Sequence, residues 1–307
     1  MRAVVFDDVS RSIDVQAVEV APPSTGEVTV RMTASGVCHT DRHVVSGAFP
    51  LGCPHVLGHE GSGVVEAVGP GVSSVGPGDT VVLASVPACG QCWYCRRGAA
   101  NHCERSAELA AVAHFRAGGV AVRGFAGLGT FADRITVHEA ATIPVTTTLP
   151  PEQLALIGCG VLTGVGAALN TAQVSPGCSV AVYGCGGVGL AAVQGARVGG
   201  AAQIVAVDPV ESKRKLASTL GATATVDPTS TDPVDAVIQL NDGRGVDIAI
   251  EALGSAAVQL QAWQSVRKGG TAVFVGFPPG DDVLTLSAQA FLLRGTRMCA
   301  SIYGGGD

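Results

Sequence analysis

Val180-Ala-Val-Tyr-Gly184-Cys-Gly186-Gly187-Val188-Gly189 lies just past the middle of this 307-residue chain, and its reading decides the fold. A short β-prone run enters a glycine-rich turn, and an apolar segment of helical spacing, Gly189 to Gly199, leaves it. Glycines at 184, 186, 187 and 189 permit a tight turn and close backbone approach, so a pyrophosphate can meet the N–H groups at the helix start. Nineteen residues beyond Gly189, Asp208 ends the next β-prone run, Ile204-Val-Ala-Val-Asp208, where its carboxylate can accept from ribose hydroxyls. That carboxylate would repel a 2′-phosphate, and Pro209 and Val210 bring no arginine to offset it, which favours NAD over NADP. Lys213 is placed to reach the same ribose, although a lysine in a first helical turn is most often a solvated surface charge.

The same rhythm continues outward. Val246-Asp-Ile-Ala-Ile-Glu-Ala-Leu253 and Thr271-Ala-Val-Phe-Val-Gly-Phe277 read as further buried strands, and Glu211 to Leu220 as a helix between them and the first pair. Strands alternating with helices predict an α/β fold with a doubly wound parallel sheet. Residues 1 to about 150 differ: they are rich in Val, Thr and Gly, and turn signals (Pro22-Pro23, Gly69-Pro70-Gly71, Gly76-Pro77-Gly78) separate short β-prone runs. This part reads as mostly β. The junction falls near Gly158 to Gly166, giving expected domains of 1–160 and 161–307.

Composition narrows the function. With 47% apolar and 14% charged residues the chain can bury substantial cores. A net charge of −6 gives no clustered cation for a polyanion, so nucleic acid is not expected as a partner. The N-terminus alternates like a strand and has no basic start before an apolar core, and the apolar stretch Val180 to Val207 is interrupted by Gly, Gln194, Arg197 and Gln203. The expectation is a cytoplasmic protein with no membrane partner. Ten cysteines in such a chain point to metal before disulfides.

Cys89-Gly-Gln-Cys92-Trp-Tyr-Cys95, followed by Cys103, offers four soft thiolates at short spacing, which suits tetrahedral zinc in a closed, structural shell. Unrelated core cysteines rarely recur at three-residue intervals. Cys38, His59 and Cys159 are dispersed, and spacing alone leaves them open: a histidine between glycines is commonly a turn residue, and a lone cysteine a small hydrophobe.

Together these motifs resemble the medium-chain zinc-dependent alcohol dehydrogenases over the whole chain. Gly58-His59-Glu60-Gly61-Ser-Gly-Val-Val-Glu66-Ala-Val-Gly69 is similar to that family's zinc signature, and Gly78-Asp79-Thr-Val to the strand turn after it. The resemblance implies a GroES-like catalytic domain before a Rossmann coenzyme domain, and two zincs per chain. Cys38, His59 and Cys159 would hold a catalytic zinc, and Cys89, Cys92, Cys95 and Cys103 a structural one. Three protein ligands leave a position for the alcohol oxygen, whose pKa the metal lowers so that hydride can pass to NAD. Asp41 and Glu60 match carboxylates that orient the ligand imidazole and tune the metal. Thr40 and His43 match a proton path, His39 a base near the pyrophosphate, and Thr163, Val188 and Val275 contacts on the nicotinamide side.

The stretch Leu156 to Thr171, with Cys38-His-Thr-Asp41, is most similar to the class III and mycothiol-dependent formaldehyde dehydrogenase branch. Ser85, where relatives often carry an aromatic, implies a wider pocket. The chain stops at Asp307 where family members continue and return to the catalytic domain, so a truncated product is expected. Val283 to Leu286 and the final strand match the family's subunit contact and imply a homodimer or homotetramer. Three activities follow from these readings: dehydrogenation of a primary or aromatic alcohol or its aldehyde, oxidation of the S-hydroxymethyl thiol adduct of formaldehyde, or a non-catalytic NAD-binding zinc protein.

Overall fold

A computed structural model describes residues 1–8, 10–111 and 114–306; Asp307, the last residue of the expected second domain, lies outside the described residues. The chain divides into two compact units, Met1–Gly160 and Val161–Gly306.

The first unit is built from strands β1 (Arg2–Asp7), β2 (Ser12–Ala17), β3 (Glu19–Val20) and β4 (Glu27–Gly36), helix α1 (His39–Ser46), then β5 (His55–Val56), β6 (Glu60–Val68) and β7 (Thr80–Leu83). Helix α2 (Ser106–Ala110), strands β8 (Phe115–Ala117), β9 (Val120–Gly124), β10 (Arg134–His138) and β11 (Thr142–Pro144), and helix α3 (Pro151–Leu156) complete it. One sheet runs β2-β1-β5-β9-β8-β3 and the other β10-β4-β6-β7-β11. Val5, Val28, Val30, Val56, Val65, Val81, Leu83, Phe115 and Ile135 are buried in one core. Each such side chain contributes roughly 1.5–3 kcal/mol on leaving water. β-branched residues suit these strands because their fixed χ1 packs on a pleated surface.

What matters for the site is the antiparallel pairing of β4 with β6, in which Gly36 stands opposite Glu60. Cys38 therefore leaves the end of β4 where His59 enters β6. Helix α3 packs across the same two strands. The chain then widens into a π-helical turn, Ile157–Val161, that carries Cys159. A Cβ at position 158 would lie 2.3 Å from the carbonyl oxygen of Leu83, so only glycine lets this turn sit against β7.

The second unit follows with α4 (Leu162–Gly166), β12 (Ser179–Tyr183), α5 (Gly187–Val198), β13 (Gln203–Val207), α6 (Glu211–Leu220), β14 (Ala224–Val226), α7 (Pro233–Gln239) and β15 (Val246–Glu251). It ends with α8 (Ala256–Ser265), β16 (Val266–Phe274), α9 (Ala288–Arg294) and β17 (Arg297–Ala300). All strand pairs are parallel and the order is β14-β13-β12-β15-β16-β17, so the order reverses between β12 and β15. In such sheets ligands bind outside the carboxyl ends of the strands at that switch. Burial on both faces explains why the strands read as unbroken apolar runs. Strand β16 stops at Phe274, leaving Val275 to Phe277, which the sequence reading placed in the strand, in the following loop. There Val275 and Gly276 turn their N–H groups onto the backbone of Glu251.

One apolar run escapes the sequence reading. Pro151–Thr171 is a continuous helical stretch of mean hydropathy 1.6, long and apolar enough by length and composition to cross a membrane, a property it shares with core helices of soluble proteins. Its glycines and alanines serve packing: a Cβ at 164 would lie 2.2 Å from the Val188 carbonyl oxygen of α5.

Candidate active site

Cys38 caps the N-terminus of α1, and its N–H donates to Asp41 Oδ2 at 3.0 Å. The other oxygen, Asp41 Oδ1, accepts the Gly58 N–H at 3.0 Å and lies 3.5 Å from His59 Nδ1. One buried carboxylate thus ties together the two segments that carry Cys38 and His59. Gly58 makes the tie by a left-handed turn, φ +89°, where a Cβ would stand 2.5 Å from Phe131 and Thr130. On the other side of His59, the Glu60 carbonyl accepts from Ser35 Oγ at 2.8 Å and Thr130 Oγ1 at 3.3 Å. Neither hydroxyl is signalled by any motif; only the folded register brings them there.

The result is a cluster in which Cys38 Sγ, a His59 ring nitrogen and Cys159 Sγ all lie within 4.8 Å of one another. Its electrostatics are those of donors crowded close together, one of them buried and two half-buried. Hydrogen bonding from the Cys159 thiol, against the effect of burial, pulls Cys38 down to about 3, and the shared proton pushes Cys159 up. Burial disfavours the His59 imidazolium, yet hydrogen bonds and charge from Asp41 and Cys38 raise it to about 10. Burial, then the Cys38 charge, raises Glu60. His59 Nδ1 is buried and makes no hydrogen bond of normal geometry, since 3.5 Å to Asp41 is an ionic contact only. Two sulfurs and an imidazole that hold protons at cost fit a soft divalent cation, which would displace those protons. Thr40 Oγ1 stands 3.5 Å from Cys38 Sγ, and the rings of exposed His39 and half-buried His43 are 5.7 Å apart on the same helix. Ser85 follows β7, half-buried.

Cys89, Cys92, Cys95 and Cys103 form a second cluster, again with all donor atoms within 4.8 Å. It is local. The Cys92 N–H donates to Cys89 Sγ at 3.3 Å, the Cys95 N–H to Cys92 Sγ at 3.5 Å, and the Cys89 N–H to Cys103 Sγ at 3.3 Å. The Cys95 N–H is the main reason that Cys92 falls to about 6, whereas desolvation pushes Cys95 up to about 12. Four sulfurs leave no open position, which suits a structural cation.

In the second unit the glycine-rich turn follows β12. Gly184 adopts φ +90°, and a Cβ at Gly189 would lie 1.7 Å from the Gly184 carbonyl oxygen, so these two glycines answer to the protein's own packing. Gly186 and Gly187 do not: a Cβ at either would meet nothing within 4 Å. Space kept open at a helix N-terminus suits a phosphate pressed against the backbone. Asp208, buried after β13, accepts the Cys185 N–H on Oδ2 and the Val210 N–H on Oδ1, each at 2.8 Å. Lys213 is exposed on α6; Val188, half-buried, opens α5, and Thr163, half-buried, lies in α4. Val275 is half-buried in the loop after β16. Sequence reasoning missed Arg214, whose guanidinium donates to the Asp208 carbonyl oxygen at 2.6 Å and pairs with Asp227 at 3.0 Å. Its helical position, six residues beyond Asp208, hid it from a search of the adjacent residues.

Both donor clusters and the glycine-rich turn fall in or beside two matched segments, with Cys159, Gly184 and Gly186 in the stretch between them. Residues 24–150 match the alcohol dehydrogenase GroES-like domain and 187–307 the zinc-binding dehydrogenase domain. An alcohol dehydrogenase zinc-binding domain protein from Burkholderia ambifaria superposes with a TM-score of 0.93 at 36% identity, over 99% of this chain and 84% of that one. This chain belongs to the medium-chain zinc-dependent alcohol dehydrogenases. It is an oxidoreductase of that type, with the family's mixed α/β pairing of GroES-like and Rossmann-like parts. Benzyl alcohol dehydrogenase from Acinetobacter calcoaceticus is 35% identical over 99% of this alcohol dehydrogenase and 84% of its own length, TM-score 0.91. A zinc-binding dehydrogenase from Sinorhizobium meliloti, solved bound to NADP, is 31% identical over 98% and 84%, TM-score 0.82.

Proposed function

We propose that this alcohol dehydrogenase transfers hydride between a primary or aromatic alcohol, or its aldehyde, and NAD, with a catalytic zinc on Cys38, His59 and Cys159 and a structural zinc on Cys89, Cys92, Cys95 and Cys103. The observation that carries the reading is the contrast in donor number: a closed set of four sulfurs, and an open set of three donors braced by a buried carboxylate. When bound, zinc supplies a Lewis acid for the substrate oxygen and the nicotinamide a hydride acceptor. The chain's own residues do the rest. Asp41 fixes the His59 ring and the Cys38 loop; Glu60 holds negative charge beside the two sulfurs; the Thr40 hydroxyl takes the alcohol proton and His43, at the last turn of α1, delivers it to solvent.

Aromatic alcohols are favoured by the likeness to benzyl alcohol dehydrogenase and by the small side chain of Ser85 at a position where the family resemblance implies an aromatic in relatives. NAD is favoured by Asp208, while Arg214 is engaged by Asp227 and so is not free for a 2′-phosphate. Val283 is 75% exposed, and Leu292 and Leu293, which precede the edge strand β17 in the chain, are exposed too, which favours a homodimer or homotetramer; the cytoplasm is the location we assign it, on the interrupted apolar runs of its sequence.

The test is metal content together with reduction of NAD and NADP by benzyl alcohol, with Cys38→Ser as control. Two zincs per chain and NAD-linked turnover lost in the control would bear the reading out. Turnover of formaldehyde only with a low-molecular-weight thiol would move the substrate to the S-hydroxymethyl adduct. NAD bound without turnover, at one zinc per chain, would mark a non-catalytic binding protein.

A further inference from the structure

Glu251 ends the central strand β15 with its side chain fully buried. Its Oε1 accepts the Leu253 N–H at 2.7 Å and the Gly254 N–H at 2.6 Å; Oε2 makes no hydrogen bond of normal geometry among the described residues, although the Gln259 side chain and the Ser255 N–H lie near enough to the carboxylate to favour its charge. Its backbone carbonyl accepts the Val275 N–H at 2.8 Å and the Gly276 N–H at 3.2 Å. One residue therefore holds both the loop after β15 and the loop after β16. The two loops touch backbone to backbone: a Cβ at Gly276 would lie 2.0 Å from the Gly254 nitrogen, and one at Gly254, which has φ +86°, 2.5 Å from the Phe277 carbonyl oxygen. The first loop also reaches the glycine-rich turn, for a Cβ at Gly184 would be 3.4 Å from the Leu253 nitrogen. All of this lies at the carboxyl ends of the strands at the sheet's switch point, the edge at which a dinucleotide binds.

A carboxylate is a costly way to pin two amides in a dry place. Burial pushes the Glu251 carboxyl above its ordinary value, more than the Gly254 and Leu253 N–H groups pull it down. An apolar side chain would fill the space without that cost, so the acceptor oxygen has a use.

We propose that Glu251 is a positioning residue for the coenzyme: its side chain and its carbonyl set the loops at 252–254 and 275–277 in one register, so that the lip against which the dinucleotide lies is formed before it arrives. The inference rests on the coenzyme reading above. A lip left to order on binding would subtract that ordering from the affinity.

The experiment compares Glu251→Ala, Glu251→Gln and Gly276→Ala in the full, zinc-loaded chain. Equilibrium NADH binding is read by fluorescence, and amide hydrogen exchange is followed at Leu253, Gly254, Val275 and Gly276 without coenzyme. E251A and G276A are expected to weaken NADH at least about tenfold with zinc content unchanged; E251A should lose protection at Leu253 and Gly254, whose acceptor it removes, while Val275 and Gly276 keep the backbone carbonyl, and G276A, whose methyl meets the Gly254 nitrogen, should lose it at the amides of both loops. E251Q keeps a carbonyl oxygen for both donors and is expected to stay within about threefold of the parent protein. Unchanged NADH affinity in E251A, an E251Q variant as weak as E251A, or protection lost throughout the parallel sheet would each overturn the proposal. Should E251A fail to fold, unchanged NADH affinity in G276A overturns it. If the parent protein binds no NADH, the coenzyme reading itself falls and the proposal with it, even where exchange still shows Glu251 holding the loops.

Discussion

The two donor clusters of the first unit contain similar atoms and are made in opposite ways. The four-cysteine cluster is written almost entirely in one short loop, where each sulfur already receives or neighbours an N–H of the next cysteine. The three-donor cluster draws residues 38, 59 and 159 from the ends of two strands and a helical turn, and it depends on Asp41, Gly58, Ser35 and Thr130 to hold them. A local cluster tolerates change elsewhere in the fold; an assembled one inherits every weakness of its surroundings. Substitutions around the assembled centre should therefore empty it while the cysteine loop keeps its metal.

The largest effect is expected from Asp41→Ala. It strands the Cys38 and Gly58 N–H groups and removes the partner of His59, at about 1–3 kcal/mol for each buried group left unsatisfied. Zinc measured by atomic emission should fall from two per chain to one, and alcohol turnover by more than about a hundredfold. Retention of both metals would mean that the assembled centre needs no carboxylate brace. Cys95→Ser is the reciprocal case and should cost the loop's zinc while leaving the other in place.

Gly58→Ala comes next. A left-handed φ of +89° costs a non-glycine residue roughly 1–2 kcal/mol, and the added methyl must push Phe131 or Thr130 aside. Thermal melting should drop by several degrees, and zinc should leave the assembled centre faster in the presence of a chelator. A variant that melts lower but keeps its zinc off-rate would show that the strain is absorbed away from His59.

These contrasts also explain what the sequence discloses. Cys89, Cys92, Cys95 and Cys103 can be named from spacing because their geometry is local, and the same holds for Gly184 to Gly189, where turn, strand and helix follow one another in the chain. Cys38, His59 and Cys159 cannot, since nothing in their spacing reflects the β4–β6 pairing that joins them, and only the family resemblance gathers them beforehand. Ser35, Thr130, Arg214 and Glu251 stay silent altogether. Each acts through a backbone group supplied by the fold, and in the sequence each reads as an ordinary strand, loop or helix residue.

The protons of the assembled centre give a third test. Below about pH 10 the His59 ring is protonated and the Cys159 thiol holds its proton, while Cys38 is a thiolate down to about pH 3. A cation entering at pH 6 to 8 must displace two protons, so its apparent affinity falls about a hundredfold for each unit the pH is lowered, near 3 kcal/mol. Proton release on zinc addition, followed with an indicator dye in weak buffer, should approach two per cation at this site. Release of one or none would mean that His59 or Cys159 either is not a ligand or does not hold its proton before the cation enters.

Ser35→Ala should give the smallest change. The Glu60 carbonyl loses the 2.8 Å hydroxyl and keeps that of Thr130, so no buried acceptor is left bare and the loss is about 1 kcal/mol. Because the carbonyl belongs to the residue after His59, this small loosening reaches the metal through a single peptide unit, and zinc dissociation should quicken by up to about fivefold. The same substitution lies far along the chain from Cys89 to Cys103, whose hydrogen bonds are made among themselves. An equal rise in the off-rates of both metals would mean that the unit loosens as a whole and that the cysteine loop is no more self-contained than the centre built from its strands.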